Sequence, residues 1–203
     1  MARALVVSRD SGDAVGELRP ASALIATQTA QLALRANPAR KPLRPTYTIR
    51  PMIETGAKPP DFTLPDQDGN DVTLSELRGK TVVLYFYPRA DTPGCTTQAC
   101  GIRDRRADYA AAGAVVLGVS PDTVAKVRKF VEKYDLGFTL LADADHAVAE
   151  RYGVWVQKSR YGRTYWGNSR TTFVIDPTGV IRHVIPKVKP ETHDDEVLAA
   201  IAA

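Results

Sequence analysis

The hydrophobic pattern of the chain is dominated by one unbroken β-branched and aromatic run, residues 81–87, which predicts a strand buried on both faces. Such runs are typical of the inner strands of a sheet that helices cover on both sides. Pro88, Pro93 and Gly94 interrupt the pattern after the run, and they therefore predict a loop. Residues 95–112 are compatible with a helix throughout. We expect a buried strand, a loop and a helix in succession.

Weaker patterns on both sides of this unit predict a mixed sheet between helices. Two short apolar stretches, 62–64 and 72–74, enclose a turn that contains Asp and Gly, which predicts a hairpin. Ser75 is expected to cap a short turn that ends at Gly79, and Asp122 to cap a later helix. Because strands alternate with helices in the middle of the chain and hairpins lie near its ends, the order of elements favours an α/β fold. The remaining predicted elements are strands at 114–120, 138–141, 172–175 and 180–184 and helices at 122–134, 145–152 and 191–201.

Both cysteines of the chain lie in the helix predicted after the loop, Cys95 at its start and Cys100 five residues later. The first N–H groups of a helix have no intrahelical partner, and the macrodipole is positive at that end. Both effects favour the thiolate form of Cys95 over the thiol, so a reactive sulfur is expected there. The alternative is an inert buried thiol. Two cysteines are too few for a secreted disulfide scaffold, and in a reducing cytosol such a pair is more often catalytic or metal-binding than structural.

The positive net charge belongs to the first quarter of the chain. Residues 1–51 contain eight basic and three acidic residues, a net charge of +5, so the remainder carries −1 of the total of +4. The basic character therefore does not indicate a nucleic-acid-binding domain. No apolar stretch is long enough for a membrane span. We expect neither nucleic acid nor membrane as a partner.

Residues 1–51 are expected to form a basic, proline-containing extension, and residues 52–203 the folded domain. Three interpretations of the extension stay open. The first is a disordered tail, or a reading frame that begins before a natural start at Met52. The second is an organelle transit peptide, and the third is an arm that binds a partner. The cytoplasm is the expected compartment, with an organelle as the alternative if the extension is a transit peptide.

The loop between the central strand and the helix carries a specific motif. Pro88-x-x-x-Thr92-x-x-Cys95 matches the active-site pattern of the peroxiredoxins. The longer run from Tyr85 to Asp104 resembles their Q-type subfamily, also called bacterioferritin comigratory proteins, and the resemblance extends from about residue 53 to the C-terminus. It implies a thioredoxin-like fold and a thiol-specific peroxidase that reduces hydrogen peroxide and organic hydroperoxides to water and alcohols. Such an enzyme serves antioxidant defence and needs no metal or organic cofactor.

The resemblance also implies roles for individual residues. Cys95 would be the peroxidatic cysteine, whose thiolate attacks the terminal peroxide oxygen and becomes a sulfenic acid. Thr92 would hydrogen-bond the sulfur and the peroxide, and Pro88 would shield the site. Arg170, directly before a predicted strand, corresponds to the catalytic arginine of the family. The other arginines that could supply this charge are Arg89, Arg103, Arg105 and Arg106.

Cys100 would be the resolving cysteine, as in Q-type members that carry a cysteine at this spacing; the alternative is an ordinary helix-core cysteine. On an ideal helix, Cα atoms five residues apart are separated by roughly 8–9 Å, whereas a disulfide needs less than about 7 Å. Disulfide formation therefore requires the first turns of the helix to unwind. The resemblance implies that thioredoxin or a similar dithiol protein then reduces the disulfide, and we expect the protein to be a monomer.

Two other classes of function stay open from the sequence. A redox-regulated sensor or chaperone would use the same cysteine pair, but it would oxidise once instead of turning over. A metal-binding module is the second, although His146, His183 and His193 show no ligand spacing and are expected at surface or capping positions. An aromatic group is expected to form a partly buried loop on the active-site side; its members are Trp155, Tyr161, Tyr165 and Trp166.

Overall fold

The computed structural model describes residues 50–203, which contain nine strands and five α-helices. The strands are β1 (Thr63–Pro65), β2 (Asp71–Thr73), β3 (Thr81–Phe86), β4 (Ala114–Ser120), β5 (Thr139–Ala142), β6 (Trp155–Arg160), β7 (Arg163–Asn168), β8 (Thr171–Ile175) and β9 (Ile181–Pro186). The helices are α1 (Pro93–Asp104), α2 (Arg106–Ala111), α3 (Val124–Tyr134), α4 (Ala147–Arg151) and α5 (His193–Ala202).

Five of these strands form the central sheet, in the order β5-β4-β3-β8-β9. β3 pairs in parallel with β4, and β4 with β5, whereas β8 runs antiparallel to β3 and β9 runs antiparallel to β8. The mixed sheet predicted from the sequence is therefore confirmed. Because Phe86 pairs with Thr171, Arg170 lies beside the end of β3, where the loop that begins with Pro88 starts.

β3 supplies side chains to two hydrophobic cores, one on each face of the sheet. Alternate residues from 82 to 86 enter a core closed by α4 and the β1–β2 hairpin. The intervening residues from 83 to 87 enter a second core, which α1, α2, α3 and α5 cover and which includes Cys95. Every side chain from 82 to 87 is at most 2% exposed. Burial on both faces explains why the run shows no polar alternation.

The pairing of β1 with β2 confirms the first predicted hairpin, but two predicted helix caps are wrong. Ser75 lies inside a 3-10 helix, Leu74–Leu77, and its N–H donates to the Asp61 carboxylate at 2.9 Å. Asp122 does not cap α3, which begins two residues later. Its buried carboxylate instead accepts the Ala90 N–H at 2.7 Å, because the loop after β3 offers a donor at that point.

The helix predicted over residues 95–112 is divided in two. It begins at Pro93, since proline at the first helical position has no N–H to satisfy and its φ suits the helix. It is interrupted at Arg105, where φ is −98° and ψ is 13°. The guanidinium of Arg105 binds Asp108 of α2 and Asp195 of α5, so long-range ion pairs accompany the break.

The aromatic segment predicted as a loop is a hairpin, which corrects that expectation. β6 and β7 pair antiparallel over their whole length and form a separate two-stranded sheet. The turn consists of Tyr161 and Gly162, both with positive φ, 51° and 72°. Two positive φ values in a two-residue turn match the twist of the flanking strands. The sequence does not indicate this turn, because asparagine or aspartate usually occupies its first position and here the residue is tyrosine.

No helix among residues 50–203 is long and apolar enough to cross a membrane. The predicted extension, residues 1–51, lies outside the described residues except for its last two. Its interpretation and the domain boundary at residue 52 therefore stay predictions.

Candidate active site

Cys95 is the third residue of α1, and its side chain is 2% exposed. The first intrahelical bond of this region runs from the Thr96 N–H to the Thr92 carbonyl at 2.8 Å. The N–H groups of Gly94 and Cys95 therefore precede the helical ladder and have no partner within it. A sulfur at this position lies beside these N–H groups, at the positive end of the helix.

Thr92 occupies the N-cap position of α1, with an extended backbone and no capping bond from its side chain. Its hydroxyl instead donates to the Arg89 carbonyl at 3.1 Å. Because that bond uses the only hydroxyl hydrogen, the two lone pairs of Oγ1 remain available as acceptors. Pro88 precedes it in the same loop, half-buried, directly after the core residue Tyr87.

Arg170 contacts the first turn of α1. Its Nη1 donates to Gln98 Oε1 at 2.9 Å, and Gln98 lies one turn beyond Cys95 on the same helix. Its Nη2 lies so close to Gly94 that a Cβ atom at that position would be only 2.9 Å away. The guanidinium is half-buried, and no acidic side chain within the described part of the chain forms a salt bridge with it. A full positive charge is thus held against the turn that carries the sulfur.

Three of the four other candidate arginines are placed away from Cys95. Arg103 donates to the Tyr134 carbonyl at 2.8 Å, and Arg105 binds two aspartates as described above. Arg106 is the first residue of α2 and lies against Gly137. Arg89 is exposed and lies at the mouth of the site beside Thr92.

Cys100 lies on the same helix as Cys95, half-buried at the edge of the same core. Both cysteines are free thiols, and α1 is unbroken between them. The helical spacing therefore keeps the sulfurs apart, as the sequence argument requires. Gly101 follows immediately, packed so closely against the Asp194 carboxylate of α5 that a larger residue would collide with it.

A groove of about 860 Å³ opens over Pro88 and Thr92. The β6–β7 hairpin forms its opposite wall, so the aromatic segment lies on the active-site side as predicted, although as a hairpin and not as a loop. Its local signals in the sequence were the aromatic residues of the two strands and Gly162 at the turn. The hairpin residues that line the groove are Trp155, Lys158, Tyr161, Arg163, Tyr165, Trp166 and Gly167.

Comparison with known proteins identifies the family. The AhpC/TSA family matches residues 55–184. A putative peroxiredoxin bcp of Coxiella burnetii is 52% identical over 149 residues, which cover 73% of this chain and 99% of the relative. Peroxiredoxin Bcp of Escherichia coli K12 is 49% identical over 146 residues, covering 72% and 94% of the two chains. The chain belongs to the peroxiredoxin family.

Solved structures agree with this assignment. Peroxidoxin BcpB of Mycobacterium tuberculosis superposes with a TM-score of 0.67 at 39% identity, covering 74% of this chain and 97% of that one. Peroxiredoxin Q of Xanthomonas campestris gives a TM-score of 0.66 at 36% identity, covering 70% and 89%. The thioredoxin-like fold and the resemblance to Q-type peroxiredoxins are therefore confirmed. The relationship supports a thiol peroxidase, an enzyme that reduces peroxide at the expense of a thiol.

His193 was predicted at a surface or capping position, but in this peroxiredoxin it is buried and does not cap a helix. It is the first residue of α5 and is 0% exposed, with Nε2 hydrogen-bonded to Thr172 Oγ1 at 2.8 Å. Burial, and to a smaller extent the positive charge of Arg170, lowers the pKa of His193 to about 4. His146 occupies the N-cap position of α4, and His183 is half-buried on β9. Within residues 50–203 no three His, Cys, Asp or Glu side chains converge as metal ligands.

Proposed function

We propose that this peroxiredoxin reduces hydrogen peroxide and organic hydroperoxides to water and alcohols, with Cys95 as the nucleophile. The observation that carries the proposal is the position of Cys95 on α1. Its sulfur belongs to a first turn whose N–H groups lack helical partners and whose backbone contacts the Arg170 guanidinium. Hydrogen-bond donors and a fixed positive charge stabilise both a thiolate and the negative charge that develops on the peroxide oxygens.

In the first step the Cys95 thiolate attacks the terminal peroxide oxygen. The S–O bond forms as the O–O bond breaks, the sulfur is oxidised to sulfenic acid, and the other oxygen leaves as water or alcohol after taking a proton. Thr92 accepts the peroxide O–H hydrogen, because its own hydroxyl hydrogen is donated to the Arg89 carbonyl. Arg170 stabilises the charge on the breaking bond, and Pro88 excludes water from one side.

In the second step the Cys100 thiol attacks the Cys95 sulfenic acid, which releases water and forms an intramolecular disulfide. The start of α1 must unwind for this, since the helix is intact in the dithiol form. Thioredoxin or a similar dithiol protein then reduces the disulfide and is itself oxidised. Because both cysteines belong to one chain, the cycle needs no second copy, and we propose a monomer. A reducing compartment such as the cytoplasm would keep the pair as free thiols between cycles.

The test is steady-state peroxide consumption with a thioredoxin-regenerating system. We predict continuous turnover for the natural sequence and its loss in Cys95→Ser, because a hydroxyl is almost wholly un-ionised near neutral pH. Cys100→Ser should still consume one equivalent of peroxide, since it lacks only the resolving thiol. Substantial turnover in Cys95→Ser contradicts the assignment of the nucleophile. A single equivalent consumed by the natural sequence in the presence of the full reducing system favours the sensor instead.

A further inference from the structure

Lys158 on β6 is a basic residue inside the groove to which the cycle above assigns no role. Its half-buried side chain lines the groove together with Pro88 and Thr92, on the hairpin wall opposite the Cys95 loop. A lysine in the middle of a strand on the surface would extend into solvent. Here the side chain lies along a groove that Pro88 and Thr92 of the Cys95 loop also line, and Arg170 and Cys95 lie near enough to act on its charge.

Two hydrogen bonds fix the Lys158 side chain relative to the loop. Its Nζ donates to the backbone carbonyl of Asn168, at the end of β7. The buried Asn168 side chain in turn donates from Nδ2 to the Tyr87 carbonyl at 3.2 Å, one residue before Pro88. The lysine is therefore connected through Asn168 to the end of β3, and its distance from the Cys95 loop does not depend on the turn at Tyr161 and Gly162.

The charge of Lys158 is not neutralised by a carboxylate. No acidic side chain lines the groove, and none of the salt bridges formed among residues 50–203 includes this lysine. Burial lowers its pKa from the ordinary value of 10.5, and the nearby charge of Arg170 lowers it too, while Cys95 acts in the opposite direction. The other charged groups of the groove are the guanidinium groups of Arg89 and Arg163. The surroundings thus favour release of a proton from Lys158.

We infer that Lys158 is the general acid that protonates the leaving oxygen during peroxide reduction. The inference rests on the proposed function of Cys95. As the S–O bond forms and the O–O bond breaks, the leaving alkoxide or hydroxide takes a proton from the Lys158 ammonium and departs as alcohol or water. The neutral amine recovers its proton from solvent before the next cycle. Arg170 cannot perform this step, because a guanidinium stays protonated at all accessible pH values, whereas a partly desolvated lysine can transfer a proton.

The experiment compares peroxides whose leaving groups differ in basicity. An alkyl hydroperoxide leaves as a strongly basic alkoxide, which needs a proton, whereas peracetic acid leaves as acetate, which does not. Lys158→Met should therefore slow the reduction of tert-butyl hydroperoxide about 10²-fold or more, which is the usual effect of losing a general acid. The reduction of peracetic acid should be slowed far less. Single-turnover rates can be followed by the fluorescence of Trp155 and Trp166 in the groove. Lys129→Met is the matched control, because this exposed lysine lines an adjoining cleft beside Thr92.

Two further results separate proton transfer from a merely structural role. The alkyl hydroperoxide rate of the natural sequence should fall on the alkaline side at a pH below 10.5, as the ammonium is lost, and this limb should be missing in Lys158→Met. Lys158→Arg keeps the charge but cannot release a proton, so it should stay impaired with the alkyl hydroperoxide. Recovery in Lys158→Arg, or equal losses of rate with both peroxides, overturns the inference. Neither outcome affects the proposed function, which is decided separately by the turnover of the natural sequence and of Cys95→Ser.

Discussion

At the scale of single residues, the site depends on an unusually close contact between Gly94 and Arg170. The hydrogen at the Cα of glycine leaves room for Arg170 Nη2, and a Cβ atom there would lie 2.9 Å from it and 3.4 Å from Pro190 Cγ. Gly94 has no positive φ that would require glycine for its conformation. The packing against the guanidinium is therefore the reason for glycine at this position.

This contact predicts a substitution that separates activity from stability. Gly94→Ala should displace Arg170 and slow peroxide reduction by about tenfold, a fraction of the 10²–10³-fold expected for Arg170→Met. The fold should not lose stability, because alanine is the better helix former by up to about 1 kcal/mol. Urea unfolding and single-turnover kinetics measure the two effects.

The double variant provides the control for that prediction. If Gly94→Ala acts through Arg170, adding it to Arg170→Met should cause no further loss of rate, so the two effects are not additive. Arg106→Met, which removes an exposed arginine remote from the sulfur, should leave the rate unchanged. Additive losses in the double variant would show that Gly94 acts independently of the guanidinium.

At the scale of elements, α1 must serve two incompatible requirements. An intact first turn holds Cys95 in the reactive position, whereas disulfide formation with Cys100 requires the same turn to open. Unwinding gives up several backbone hydrogen bonds, each worth roughly 0.5–1.5 kcal/mol net. Gly101 weakens the helix by about 1 kcal/mol, and Pro93 contributes no N–H at its start, so the segment is suited to local opening.

Amide hydrogen exchange should therefore be faster over residues 95–103 in the disulfide form than in the dithiol form. The strands of the central sheet are the internal control, because their protection should not change with the oxidation state. Equal protection of α1 in both forms would mean that the pair bonds without unwinding, which contradicts the geometric argument.

The elements also differ in how far their sequence predicts them. The sequence predicts β3, β4 and the hairpins β1–β2 and β8–β9. In these strands either every second side chain is buried or all side chains of a short run are buried, and both patterns are visible in the sequence. The motif around Cys95 predicts the loop and the helix that follows. The β6–β7 hairpin, the break at Arg105 and the position of Lys158 depend on contacts between distant segments, so a local pattern cannot reveal them.

At the scale of the whole molecule, the burial of His193 links stability to pH. Because its pKa is about 4 in the folded protein and 6.5 is the ordinary value, the unfolded state binds the proton first as the pH falls. Stability should therefore decrease between about pH 6.5 and 4, by at most about 3 kcal/mol from this group. The pKa of the neighbouring Asp194 carboxyl is raised by burial, and its contribution to stability changes in the opposite direction near the acid end of this window.

Unfolding in urea at a series of pH values measures this dependence. His193→Gln should flatten the curve between pH 6.5 and 4, even if it lowers stability throughout by altering the bond to Thr172. His183→Gln, which removes a half-buried histidine on β9, should retain the slope of the natural sequence. An unchanged slope in His193→Gln would assign the acid sensitivity to other groups.

The central claim is that Cys95 reacts with peroxide and that Cys100 of the same chain then attacks the Cys95 sulfenic acid to form a disulfide. Mass spectrometry of the reduced protein after one equivalent of peroxide tests this most directly, with peptide mapping to locate the bond. We predict a monomeric product that has lost two hydrogen atoms and contains a Cys95–Cys100 disulfide, and a Cys95 sulfenic acid in Cys100→Ser. A disulfide between the Cys95 residues of two chains, with Cys100 still a free thiol, would contradict the account.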